Sequence, residues 1–147
     1  MSWIGKPVKR VEDARLLAGR GSFIDDHDPV PNVHHAGYKW AAETRLLDRY
    51  LQLHGFSTRV QAAAADDVEP AWDRSFHRTY AFFAGFRAGS HGQLLYNFGS
   101  LDGGAGGTWN VRQAYYVSGG MRYARAMPEI YNHAMARQWA KISSPGA

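Results

Sequence analysis

Asp67 and Glu69 stand two positions apart at the end of the run Val60–Glu69, just before Pro70. On an extended strand, side chains two apart project to the same side, about 6.5–7 Å from each other at the backbone. Glycosidic cleavage uses two carboxyls about 5–5.5 Å apart for retention, or about 6.5–9.5 Å apart for inversion, so this pair is admissible for acid–base hydrolysis. Asp66, Asp102 and Glu129 are further acids near the ends of the segments that read as strands. Trp72, Tyr96, Asn97, Trp109 and Tyr131 lie beside the same face, where they could stack on a sugar ring or bind its hydroxyls. Structural roles compete with each of these. Asp66 and Asp67 could be a solvated strand end, Asp73 a helix cap and Glu129 a partner of Arg125 or Arg137, while the aromatics could fill a core.

The histidines offer a second chemistry. His27, His34 and His35, with Asp66 from the strand end, could hold zinc or manganese, since imidazole and carboxylate are suitable ligands. Such a site would support metal-assisted hydrolysis of phosphate or carboxyl esters, although His-x6-His-His is not a recognised zinc spacing. The chain has no cysteine, which rules out disulfides, a thiolate nucleophile and cysteine-ligated zinc. Gly103-Gly104-Ala105-Gly106-Gly107 lacks the Lys-Ser/Thr of a phosphate-binding loop.

These residues need elements to position them. Apolar residues at helical spacing predict a helix over Trp40–Leu53, closed by Gly55. A strand within Val60–Glu69 leads to a helix capped by Asp73, with Phe76, Tyr80, Phe83 and Phe86 expected in the core, ending at Gly89. Gln93–Ser100 reads as a second strand, and Thr108 opens a helix closed by Gly119-Gly120. Arg125–Tyr131 reads as a third strand, with Pro128 inside it as a warning. Asn132 then caps a last helix that buries Met135, Trp139 and Ile142. The alternation predicts a parallel sheet with right-handed crossovers and strands roughly 30 residues apart. In such sheets ligands gather at the carboxyl ends of the strands.

Two resemblances follow from particular residues. The segments Asp67–Trp72, Leu94–Gly104, Trp109–Gly120 and Ala124–Ala140 together resemble the C-terminal half of a bacterial glycoside-hydrolase-like barrel. They are more distantly similar to lysozyme-type hydrolases with an Asp-x-Glu at a strand end. This likeness implies that Glu69 protonates the leaving oxygen while Asp67 stabilises the sugar cation or orients a nucleophile. Residues 3–35 resemble instead the N-terminus of molybdenum hydroxylase large subunits of the xanthine/CO dehydrogenase type, through Gly5–Asp13, Leu16-Leu17, Gly19-Arg20-Gly21 and Asp25-Asp26. The positions that would hold that family's molybdopterin have no counterpart in the chain, so the two ends together read as a chimera.

At 147 residues the chain is too short for a whole barrel of about 250 residues. The expected fold is α/β: an extended arm and linker over residues 1–37, then a partial (half) TIM-type barrel of three to four βα units over 38–147. Open sheet edges on such a half-barrel predict a homodimer. With 17 basic and 13 acidic residues the net charge is +4; no aromatic interleaving accompanies the basic arm, so nucleic acid is not an expected partner. No run approaches the roughly 18 apolar residues of a membrane span and no secretory leader is apparent, which predicts a cytoplasmic protein with no membrane partner. If the chain is an enzyme it is a hydrolase. The residues leave three readings open: a glycosidase needing no cofactor and acting on a saccharide, a metal-dependent esterase or phosphoesterase, and a non-catalytic fragment.

Overall fold

A computed structural model describes residues 32–71, 73–100 and 107–143. Asn32 Oδ1 accepts a hydrogen bond from the His35 amide (3.0 Å), capping helix α1, Val33–Leu53. The helix therefore starts well before the expected Trp40. It ends at His54, and Gly55 follows at φ +74°, the left-handed closure expected of a glycine there.

The inward face of α1 is Gly37, Ala41 and Thr44, one small residue per turn, and it packs on helix α2, Phe76–Gly89. A Cβ on Gly37 would lie 1.9 Å from the Phe82 carbonyl oxygen, and one on Gly85 would lie 1.8 Å from that of His34. The two backbones thus meet at a separation that permits only hydrogen on each Cα, the geometry of Cα–H···O contacts between helices. The larger apolar residues of α1, expected to be buried, are turned outward.

Strands β1 (Ala64–Asp66), β2 (Leu95–Asn97) and β3 (Ala124–Ala126) form a parallel sheet in the order β1-β2-β3. Ala64 pairs with Leu95 and Leu95 with Ala124; Asp66 pairs with Asn97 and Asn97 with Ala126. Helix α2 crosses from β1 to β2. The next crossover uses α3, Val111–Tyr115, running directly into a π-helical turn, Tyr116–Gly120. Helix α4, His133–Ser143, follows β3.

The half-barrel is thereby corrected. The described residues form four helices and one open sheet of three strands, each three residues or roughly 10 Å long, with no barrel units. The strands are short because their flanks serve other partners. The Ala62 amide donates to Asp48 Oδ1 (2.9 Å) and the Gln93 carbonyl accepts from Ser90 Oγ (2.8 Å), so neither continues the ladder. Pro128, within the expected third strand, lies beyond β3. α1 packs along α2 as a helix pair.

Phe83, Phe86, Leu95, Trp109, Ala114, Val117, Trp139 and Ile142 make the core. Phe76 sits at its edge against Trp109, while Tyr80, expected inside, is exposed and meets Tyr116 edge-on. Capping also moved at two helices. Asp73, three residues before α2, accepts from the Ser75 amide rather than capping the helix, and Asn110, not Thr108, caps α3 through a reciprocal pair with Gln113. Asn132 caps α4 as expected, accepting from the Met135 amide (3.0 Å).

Candidate active site at the strand ends

β1 ends at Asp66, but the alternation of sides persists beyond it: Asp67 is exposed, Val68 buried and Glu69 half-buried. Buried Val68 anchors the segment between the two carboxylates. The loop after β2 presses against this segment. A Cβ on Gly99 would fall 2.1 Å from the Val68 carbonyl oxygen, so only glycine lets the loop come close enough to bring Ser100 to Glu69. Ser100 then donates its amide (2.9 Å) and its hydroxyl (2.7 Å) to Glu69 Oε1, with the hydroxyl 3.0 Å from Oε2.

Asn97, fully buried at the end of β2, ties the surrounding loops together. Its Nδ2 donates to Ser118 Oγ in the π-turn (3.0 Å) and its Oδ1 accepts from the Gly99 amide (3.0 Å). Its carbonyl accepts from the Met127 amide (2.8 Å), which fixes the start of the segment carrying Glu129 and Tyr131. Thus one side chain and its backbone set the π-turn, the Ser100 loop and the Glu129 segment. A π-turn is often found at functional sites, and here it supplies the hydroxyl that holds Asn97.

The electrostatics join all three strand ends. The Asp67 carboxyl is held above its ordinary value, first by partial burial, then by the negative charges of Glu69 and Glu129. The Tyr131 hydroxyl donates to Glu129, and this bond, followed by desolvation and the charges of Glu129, Asp67 and Glu69, raises the phenol above its ordinary value. Asp67, Glu69, Glu129 and Tyr131 therefore share one electrostatic neighbourhood. Chemically, this can supply a proton from Asp67 and an oriented acceptor at Glu69, since a carboxylate receiving an amide and a hydroxyl presents itself as an acceptor.

The other expected site residues are distributed differently. Asp102, Trp72 and His27 lie outside the described residues. Trp109 takes the core role rather than a sugar-facing one: it is 1% exposed, its ring packs edge-on to Phe76 at 5.5 Å, and its Nε1 donates to the Arg74 carbonyl. Asn97 is likewise a buried organiser of loops rather than a group facing a ligand. Tyr96 is half-buried on β2. His34 and His35 stand in the first turn of α1, with His35 stacked on Tyr38, and Asp66 closes β1. Among the described residues no group of three His, Asp or Glu side chains could hold a metal ion, so these three do not form the expected cluster.

Sequence reasoning missed Ser100, Gly99 and Ser118. The strand-end rule that selected Asp67 would also have pointed to Ser100, which follows β2 by three positions. No protein-family model matches the chain, and neither a curated protein nor a solved structure matches it.

Proposed function

We propose that the chain is a hydrolase of glycosidic bonds that works through the carboxylates at the strand ends. Asp67 serves as general acid, giving its proton to the leaving oxygen. Glu69 serves as the anionic partner that assists attack at the anomeric carbon. This exchanges the roles implied by the resemblance to glycoside hydrolases. The observation that carries the reading is that the two carboxyls have opposite environments: Asp67 is pushed toward its protonated form, while Glu69 accepts hydrogen bonds from Ser100 at both oxygens. An acid held toward its protonated form beside a carboxylate fixed by hydrogen bonds suits acid–base glycoside cleavage. After partial burial and the charge of Glu69, the charge of Glu129, which is bonded to Tyr131, also raises the Asp67 carboxyl. The exposed side chains of Ile130 and Tyr131, in the same segment as Glu129, offer an apolar surface for a sugar ring. No cofactor is required for this chemistry.

The test is hydrolysis of a panel of chromogenic glycosides and phosphate esters by the purified chain, with and without a chelator. Cleavage of a glycoside that is unaffected by chelator is the expected result. Cleavage of esters alone, lost on chelation, or no cleavage of any substrate, would contradict the proposal.

A further inference from the structure

Helices α2, α3 and α4 carry Arg78, Arg87, Arg112, Arg137 and Lys141 but no acidic residue, and the π-turn that extends α3 adds none. These elements lie side by side. α2 meets the π-turn where Tyr80 packs edge-on to Tyr116, and α3 packs against α4. Each buries one side in the common core, through Phe83 and Phe86 of α2, Ala114 of α3 with Val117 of the π-turn, and Trp139 and Ile142 of α4. At about 100° per residue the opposite sides carry Tyr80 and Arg87, then Arg112 and Tyr116, then Arg137 and Lys141, all of them exposed. The nearest acids are engaged elsewhere. Asp73, ahead of α2, is bridged to Arg78 at 3.9 Å, and Glu129, ahead of α4, receives the Tyr131 hydroxyl. α1, which carries Glu43 and Asp48, packs on the Gly85 side of α2, about 140° round that helix from Tyr80. Among the described residues Arg87, Arg112, Arg137 and Lys141 form no ion pair.

We infer that the outer surface of α2, α3 and α4 binds single-stranded nucleic acid, its phosphates pairing with the free cations and its bases stacking on Tyr80 and Tyr116. Charge complementarity selects a polyanion, and the tyrosines select among polyanions. They are the large hydrophobic side chains exposed on these helices, at 38% and 36%, and their edge-on contact leaves ring faces open. Every base has a face to stack on such a ring, provided that it is not already stacked and paired within a duplex. An anionic membrane would need large aliphatic side chains directed outward beside the cations, where α2 and α4 present Ala88, Ala134 and Ala140 instead. The aromatic neighbours that the basic arm lacks in sequence are thus brought to other cations by the fold. The inference is independent of the hydrolytic reading.

Fluorescence anisotropy of a labelled oligouridylate of about 12 nucleotides, titrated with the full chain, tests it. Binding in the micromolar range is expected at low salt, weakening as salt rises. The double variant R112Q/R137Q should weaken binding by about tenfold and make the dependence of log affinity on log salt shallower by about 1.4. The double variant Y80A/Y116A should weaken it by about tenfold or more while leaving that salt dependence unchanged. Photocrosslinking of the wild-type chain to a thiouridine-containing oligonucleotide needs no variant to fold, and attachment is expected at Tyr80 or Tyr116. Absence of binding at low salt overturns the inference, including in a chain that binds phosphatidylserine vesicles or heparin instead. So does equal binding by the wild type and the folded variants, or attachment confined to residues 1–31.

Discussion

Asp67 is partly desolvated and ionises beside Glu69 and Glu129, so its carboxyl is held above the ordinary value of 3.8. The folded state therefore binds this proton more tightly than the unfolded chain does. The resulting stabilisation is complete below 3.8 and is lost as pH rises through the elevated folded value. Asp67→Asn should accordingly raise the melting temperature at neutral pH by about 2 °C, an effect of the size expected at a largely exposed position. The gain should vanish near pH 3, where the wild-type group is also neutral. An equal shift at both pH values, followed by scanning calorimetry, would show that ionisation of Asp67 is not its cause. Ser100→Ala keeps Glu69 in place by its amide alone. It should cost about 1 kcal/mol of stability in denaturant titration. If Glu69 needs fixed oxygens, it should also lower kcat by about tenfold while leaving KM within a factor of about two. A change in KM alone would mean that Ser100 does not orient the reacting carboxylate.

Close backbone approach determines which elements can be altered. Gly85→Ala would place its Cβ 1.8 Å from the His34 carbonyl oxygen, backbone against backbone, so α1 must move off α2. Urea unfolding should show a loss of about 3 kcal/mol or more. Gly55→Ala has open space around it but sits at φ +74°, and should cost only about 1 kcal/mol. The opposite order would mean that the helix pair is not packed as described. Gly99→Ala, aimed at the Val68 carbonyl, should combine a loss of about 2 kcal/mol with loss of Ser100 from Glu69. These glycines explain what the sequence concealed about α1. Periodicity showed that Trp40, Leu47 and Leu51 share a side, but not which way that side points. The inward direction was set by Gly37 and Ala41, whose lack of bulk permits contact and carries almost no hydrophobic signal.

Across the whole molecule, alternation of strand and helix was legible because Pro70, Gly89, Asn132 and the glycines at 119 and 120 punctuate it. The parallel sheet follows from that alternation. The barrel did not, since closure depends on strand length and on further strands, and here Asp48 and Ser90 take up the groups that would have lengthened β1 and β2. Asp67 and Glu69 beyond β1, and Glu129 and Tyr131 beyond β3, were visible in the sequence as polar residues near strand ends. Asn97 and Ser100 were harder to place, because their roles arise from hydrogen bonds spanning 21 and 31 positions that no local pattern encodes. No described helix is long and apolar enough to cross a membrane.

The most direct test of the account is the pH dependence of kcat/KM on a cleaved glycoside, measured for the wild type, Asp67→Asn and Glu69→Gln. The wild-type rate should fall as pH rises through the elevated value of Asp67, because the acid must hold its proton. That alkaline limb should disappear in Asp67→Asn, and each variant should lose about 100-fold or more in rate. Variants that retain wild-type activity, or a wild-type profile with no alkaline limb removed by Asp67→Asn, would contradict the assignment of acid–base hydrolysis to this pair.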